Sequence, residues 1–246
     1  MPSDTPIIPS DAVKAIQDSV FTSVVEMTPG GFTNRPVYLP PKENVPSPLN
    51  ISTLTGLVEY IKNGSDSAGA TKPWMVHVIN PEQVEVISGL FGRSAQRHTY
   101  LTATANSTDF EFDHFYDAET FNIKLQSQFV DVQDREKVLR LVGNIKEENV
   151  RQANDDGITQ SVTARAGIAR VEDVPVPNPV TLVPFRTFRE VPQPGSDFIL
   201  RLRQGREGSL PTCALFEADG GHWQLEAIQN IAEYLRAALE TVTVIA

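Results

Sequence analysis

The stretch WMVHVINPEQVEVISGLFGRSAQRHTYLTATA, residues 74–105, decides the fold. Trp74, Val76 and Val78 alternate with Met75, His77 and Ile79. Val84 and Val86 repeat that period after Asn80-Pro81, and residues 98–105 continue it less cleanly in a threonine-rich run. A period of two puts alternate side chains on one face, so these runs read as strands, and Asn-Pro marks a turn between the first two. Three consecutive strands with short connections predict an antiparallel meander.

Upstream, the period changes to that of a helix. Leu54, Leu57, Val58 and Ile61 form one stripe over residues 53–62, with Ser52 as the expected cap and Gly64 as the stop. Residues 63–72 (NGSDSAGATK) read as a flexible loop. Residues 28–50 hold six prolines and read as extended chain with a short strand at 36–39. Val13, Ile16, Val20 and Val24 predict a helix over 11–26, ended by Pro29-Gly30-Gly31. Pro2, Pro6 and Pro9 make residues 1–10 an extended arm.

Downstream, residues 117–129 fit both periods. Phe121, Leu125 and Phe129 share a helical face, whereas Phe121, Ile123 and Leu125 share a strand face. Asp117 as a cap favours the helix. Val138, Leu141, Val142 and Ile145 predict a helix over 134–145. Asp155-Asp156-Gly157 suggests a hairpin turn between 149–152 and 158–168. A second belt with six prolines, 175–194, encloses an expected edge strand at 180–185. Residues 198–203 and 212–216 form the next expected hairpin. Leu225, Ile228, Ile231, Leu235 and Leu239 define a long amphipathic helix over 223–240, followed by the strand-prone tail TVTVIA, 241–246. The fold class is therefore α+β: mainly antiparallel sheets with packed helices and a long C-terminal amphipathic helix. The expected organisation is a single domain over residues 1–246.

Composition narrows the functions. The formal net charge is −10, which disfavours duplex DNA and anionic membranes at long range. No apolar run reaches the roughly 18 residues of a membrane span, and MPSDTPIIPSD lacks the pattern of a signal peptide. The single cysteine, Cys213, excludes an internal disulfide and a thiolate zinc site, and suits a reducing cytosol. It lies in the apolar run CALF and reads as a buried small hydrophobe. There is no P-loop, no dinucleotide fingerprint and no H-E-x-x-H, so the expectation is a chain without cofactor, metal or catalytic residues. Glu111, Asp113, His114 and Asp117 have oxygen and imidazole ligands at close spacing, but read as acidic loop residues before a helix. Asp219-Gly220-Gly221-His222 offers N–H groups at a helix start and reads first as a turn.

Charge is uneven along the chain. Residues 135–206 carry 12 basic and 9 acidic side chains, against 8 and 16 over residues 1–134. Arg186, Arg189, Arg201, Arg203 and Arg206 concentrate the positive charge. Arg201 and Arg203, two apart on an expected strand, project from one face. Guanidinium forks suit phosphate and carboxylate, so these five residues are the candidate anion-binding set; pairing with acidic residues or a second subunit is the alternative.

The segments DDGITQSVTARAGIA (155–169), VTLVPFRTFREVPQPGSDFILRLR (180–203) and CALFEADGGHWQLEAIQNIAEYL (213–235) resemble phage and prophage proteins in or near the YfdQ-like family, a domain of unknown function. The likeness extends to LTGLVEYI (54–61) and VLRLVGNI (138–145). It implies a phage-encoded protein in a bacterial cytoplasm and implies no reaction. Three functions follow as expectations. One is a non-enzymatic accessory protein that self-assembles into a homo-oligomer through its proline-rich arms and tail. The second is a binding module that sequesters a phosphorylated ligand, such as a nucleotide defence signal. The third is an accessory to phage recombination or replication that contacts single-stranded nucleic acid.

Overall fold

The computed structural model describes residues 10–12, 14–15, 25–28, 31–33, 47–66, 74–90, 95–144, 161–166, 170–203 and 211–246. Residues 1–45 and 46–246 form two compact units. In the first, residues 10–12 and 14–15 are helical, and β1 (Val25–Thr28) pairs antiparallel with β2 (Gly31–Thr33). The expected helix over 11–26 therefore does not reach its predicted end. Val25 and Glu26, expected as its last residues, are instead paired in a strand with Thr33 and Phe32. The arm at 1–9 and the short strand at 36–39 lie outside the described residues.

Among the described residues the second unit contains two larger sheets, each with its own apolar core, and a separate two-stranded hairpin. The larger sheet holds β3 (Leu49–Ile51), β4 (Trp74–Asn80), β5 (Gln83–Ser88), β6 (Thr99–Thr104) and β13 (Thr243–Ile245), in the order β13-β4-β5-β6-β3. The meander β4-β5-β6 is antiparallel, as the alternation predicts. Both outer strands are parallel to their neighbours: Val244 lies opposite Val76, and Asn50 opposite Thr102. Helix α1 (Leu54–Lys62) buries Leu54, Leu57 and Val58 against this sheet. Its cap is Thr53 rather than Ser52, because the Thr53 hydroxyl accepts from Gly56 N at 3.2 Å. The long helix α4 (His222–Ala238) adds Ile231, Ala232 and Leu235 to the same meander core.

The smaller sheet is antiparallel, in the order Val180–Leu182, Ser196–Arg203, Thr212–Glu217, Tyr116–Asp117. It combines β7 (Tyr116–Asp117), β10 (Val180–Leu182), β11 (Ser196–Arg203) and β12 (Thr212–Glu217). The ambiguous segment is a helix, α2 (Ala118–Gln128), and α3 (Gln133–Gly143) follows. Asp117 decides the first: its carboxylate accepts from Thr120 N at 2.9 Å, closing the first turn. Phe121, Leu125, Val138 and Leu141 then pack on Phe198, Leu200, Leu202, Cys213 and Leu215, forming the hairpin core. Burial lifts the Cys213 thiol to about 12, so it stays protonated at neutral pH.

A further hairpin pairs β8 (Ser161–Ala166) with β9 (Arg170–Pro175). The strand expected at 149–152 as partner of the 158–168 run, and the Asp155-Asp156-Gly157 turn, lie outside the described residues. No helix among the described residues is long and apolar enough to cross a membrane.

Candidate functional site

Chain segments cross between the two cores at residues 105–115, 183–195 and 218–221, and a cleft of about 420 Å³ opens where they meet. Its lining draws on both cores. Asn80, Pro81 and Glu82 come from the β4–β5 turn, Phe110 and Phe112 from the first crossing, Phe185 and Arg186 from the second, and Trp223 and Gln224 from the start of α4.

Each wall has a local cause. The Asn80 side chain accepts from Glu82 N at 2.8 Å, which shapes the turn that the Asn-Pro pair announced. Glu82 O accepts from Ala105 N at 2.8 Å, and Pro81 O accepts from the Thr187 hydroxyl, so the turn is held to both crossings. Phe110 is buried edge-on against Phe129, with centroids 5.0 Å apart, while Phe112 stacks on Phe198 at 5.1 Å. The second crossing is braced by Gln193, whose Oε1 accepts from Arg186 N at 3.0 Å and Thr187 N at 3.2 Å. Glu190, on the same crossing, accepts from Leu54 N at 2.8 Å and so ties the start of α1 to it.

Arg186 is the buried charge of the site, at 6% exposure. Its Nη1 donates to Glu217 Oε1 at 2.5 Å and its Nη2 to the Ser196 hydroxyl, which in turn donates to Asp219. The guanidinium carbon lies 3.9 Å from the centre of the Trp223 ring. Burial lowers the Arg186 pKa to about 10, opposed by Glu217 and Asp219, so the group remains charged at neutral pH. Burial likewise raises Glu217 above the ordinary glutamate value, against the pull of Arg186. Asp219 also feels burial, but hydrogen bonds from Ser196 and from the Gly221 and Trp223 N–H groups hold it below the ordinary aspartate value. The chain's own carboxylate thus occupies the N-terminus of α4, where an external anion was one reading. Gly220 and Gly221, at φ of 64° and 80°, provide the left-handed turn that this needs.

The five arginines predicted as one set are distributed. Arg186 lies inside the junction. Arg189 stacks over Phe185 at 3.8 Å and is exposed. Arg201 and Arg203 share the outer face of β11, as their spacing predicts, opposite buried Leu200 and Leu202; Arg203 lies 3.9 Å over Phe115. Arg206 lies outside the described residues. Among the described residues no group of three or more His, Cys, Asp or Glu comes together to hold a metal, and His114 lies 3.9 Å from Glu111.

Sequence reasoning singled out the acids of FEFDHFY (110–116) and passed over its aromatics. Phe110 and Phe112 are the residues that line the cleft, and that aromatic density was the available signal. No protein-family model, curated protein or solved structure matches the chain.

Proposed function

We propose that this chain is a non-enzymatic binding module whose ligand site is the junction cleft. The supporting observation is the lining itself: four aromatic rings and an ion-paired arginine, rimmed by amides and hydroxyls, at a joint between two cores. Small-ligand sites of roughly 300–1,000 Å³ favour such joints, with mostly apolar walls and few polar groups. The resemblance to phage proteins supports an accessory role in an infected bacterial cell, and a single buried thiol accords with its cytoplasm. Fragment screening by NMR tests the proposal. Binders should move the Trp223 indole N–H signal and lose affinity in Phe112→Leu. A library of aromatic and amide fragments that leaves that signal unmoved refutes it.

A second reading, self-assembly, is favoured by a different observation. The tail finds its sheet within its own chain, yet β13 is an outer strand of that sheet, and Ile245 is 44% exposed. An outer strand offers backbone groups to a second copy. Mass photometry of the protein and of Val244→Pro tests this: an oligomer lost in the variant supports it, and a monomer at micromolar concentration rejects it.

A further inference from the structure

Resting on the cleft reading, we infer that the group the cleft takes is a nucleobase, an uncharged flat heteroaromatic with an amide-like edge, and that any phosphate attached to it stays outside. Charge makes the first selection. Among the described residues Arg186 is the one cation in the lining, and Glu217 and the Ser196–Asp219 pair already engage it. Glu82 adds a further carboxylate to the lining. A phosphate or carboxylate entering the cleft would therefore meet a field closer to negative than positive, because both terminal nitrogens of the Arg186 guanidinium are held by Glu217 and Ser196 and only its buried Nε lacks a partner among the described residues.

Shape makes the second selection. Phe110, Phe112, Phe185 and Trp223 provide ring faces and edges on which a flat ligand stacks, and such stacking tolerates any base because every base has a π-face. An aliphatic ligand would use the apolar walls and leave the rim unmatched. That rim, Asn80, Ser107 and Gln224, presents amides and a hydroxyl that donate and accept together, as the edge of a base requires. With Asn80 Oδ1 engaged by Glu82 N, its amide N–H₂ is the part left for a ligand acceptor.

A third observation is independent of these. The buried Trp223 Nε1 has no hydrogen-bond acceptor among the described residues. A buried donor without a partner is unfavourable because it has lost water and gained no acceptor, so a small turn of the indole toward a ring carbonyl or ring nitrogen in the cleft is favoured.

The test is titration of the full chain with adenosine, guanosine, cytidine and uridine, their 5′-monophosphates, inorganic phosphate and a short single-stranded oligonucleotide. Calorimetry gives affinity and the Trp223 indole signal gives the place. At least one nucleoside should bind and move that signal, and its monophosphate should bind within tenfold of it. Inorganic phosphate should not bind, and affinity should change less than twofold between low and moderate salt. Trp223→Ala should weaken binding at least tenfold. Phe112→Leu, which keeps apolar volume and removes one ring, serves if the first variant does not fold. An oligonucleotide that binds much tighter than the nucleoside identifies a single strand as the source of the base, and equal affinity identifies a free nucleoside; either supports the inference. A monophosphate more than tenfold tighter than its nucleoside overturns it. So does occupation of the cleft only by fragments of another class, which leaves the binding-module reading intact. Failure of every fragment and every nucleoside removes both.

Discussion

The two cores of the second unit differ in how far along the chain their parts are drawn. The hairpin core is assembled from residues 110–215. The meander core begins at Leu54 and is closed by Leu239. Both interiors are apolar, but the joint between them is held by a charged network and by side-chain hydrogen bonds. Apolar packing is non-directional and fills each half, whereas directional bonds fix how the crossings lie and so shape the cleft.

That contrast can be broken most forcefully from inside each core. Phe121→Ala in the hairpin core should cost about 4 kcal/mol and Leu235→Ala in the meander core about 3 kcal/mol, since both side chains are fully buried. Hydrogen exchange then reads cooperativity: loss of protection confined to the mutated half separates the two, and equal loss in both makes them one folding unit. At the joint, Glu217→Leu leaves the Arg186 charge without its carboxylate. It should cost about 3 kcal/mol in chemical denaturation, the lower end for broken buried pairs because Glu217 is partly open to solvent. The double variant Arg186→Met/Glu217→Leu should recover most of that, and no recovery would show that packing, rather than charge, sets the joint.

The fold was legible where a signal is local. Asp117 resolved a segment whose periodicity was ambiguous, because a capping carboxylate acts within one turn. Asp117→Ala should therefore cost about 1 kcal/mol. Its hydrogen bonds from Thr120 hold its pKa below the ordinary 3.8, so the folded state binds this proton more weakly than the unfolded state. The stability it supplies is present above pH 3.8 and is lost as pH falls toward the lowered value. A denaturation series from pH 6 to pH 2 should show a shallower acid decline in the variant.

The site was less legible because its signals are not local. In sequence, Arg186 and Arg203 are alike in one respect: each is an arginine of the basic stretch 186–206. Their difference comes from residues far along the chain, since Glu217 and Trp223 reach Arg186, whereas Arg203 remains on an outer face. Arg203→Ala should shift stability by less than about 0.5 kcal/mol, measured by thermal melting, and a larger loss would mean that its stack on Phe115 matters more than exposure suggests. The TVTVIA tail shows the same divide. Its β-branched composition announced a strand, but nothing in it named β4 as the partner or parallel as the direction.

The position of β13 beside β4 sets the order in which a ribosome can complete the molecule. Every part of the hairpin core emerges from the ribosome before α4 and β13 do, so that half can close while the meander, made earlier, still waits for its helix and its outer strand. The half that begins first finishes last. During that interval the β4 edge is exposed on the nascent chain, and that is the period in which a chaperone or a neighbouring chain has access to it.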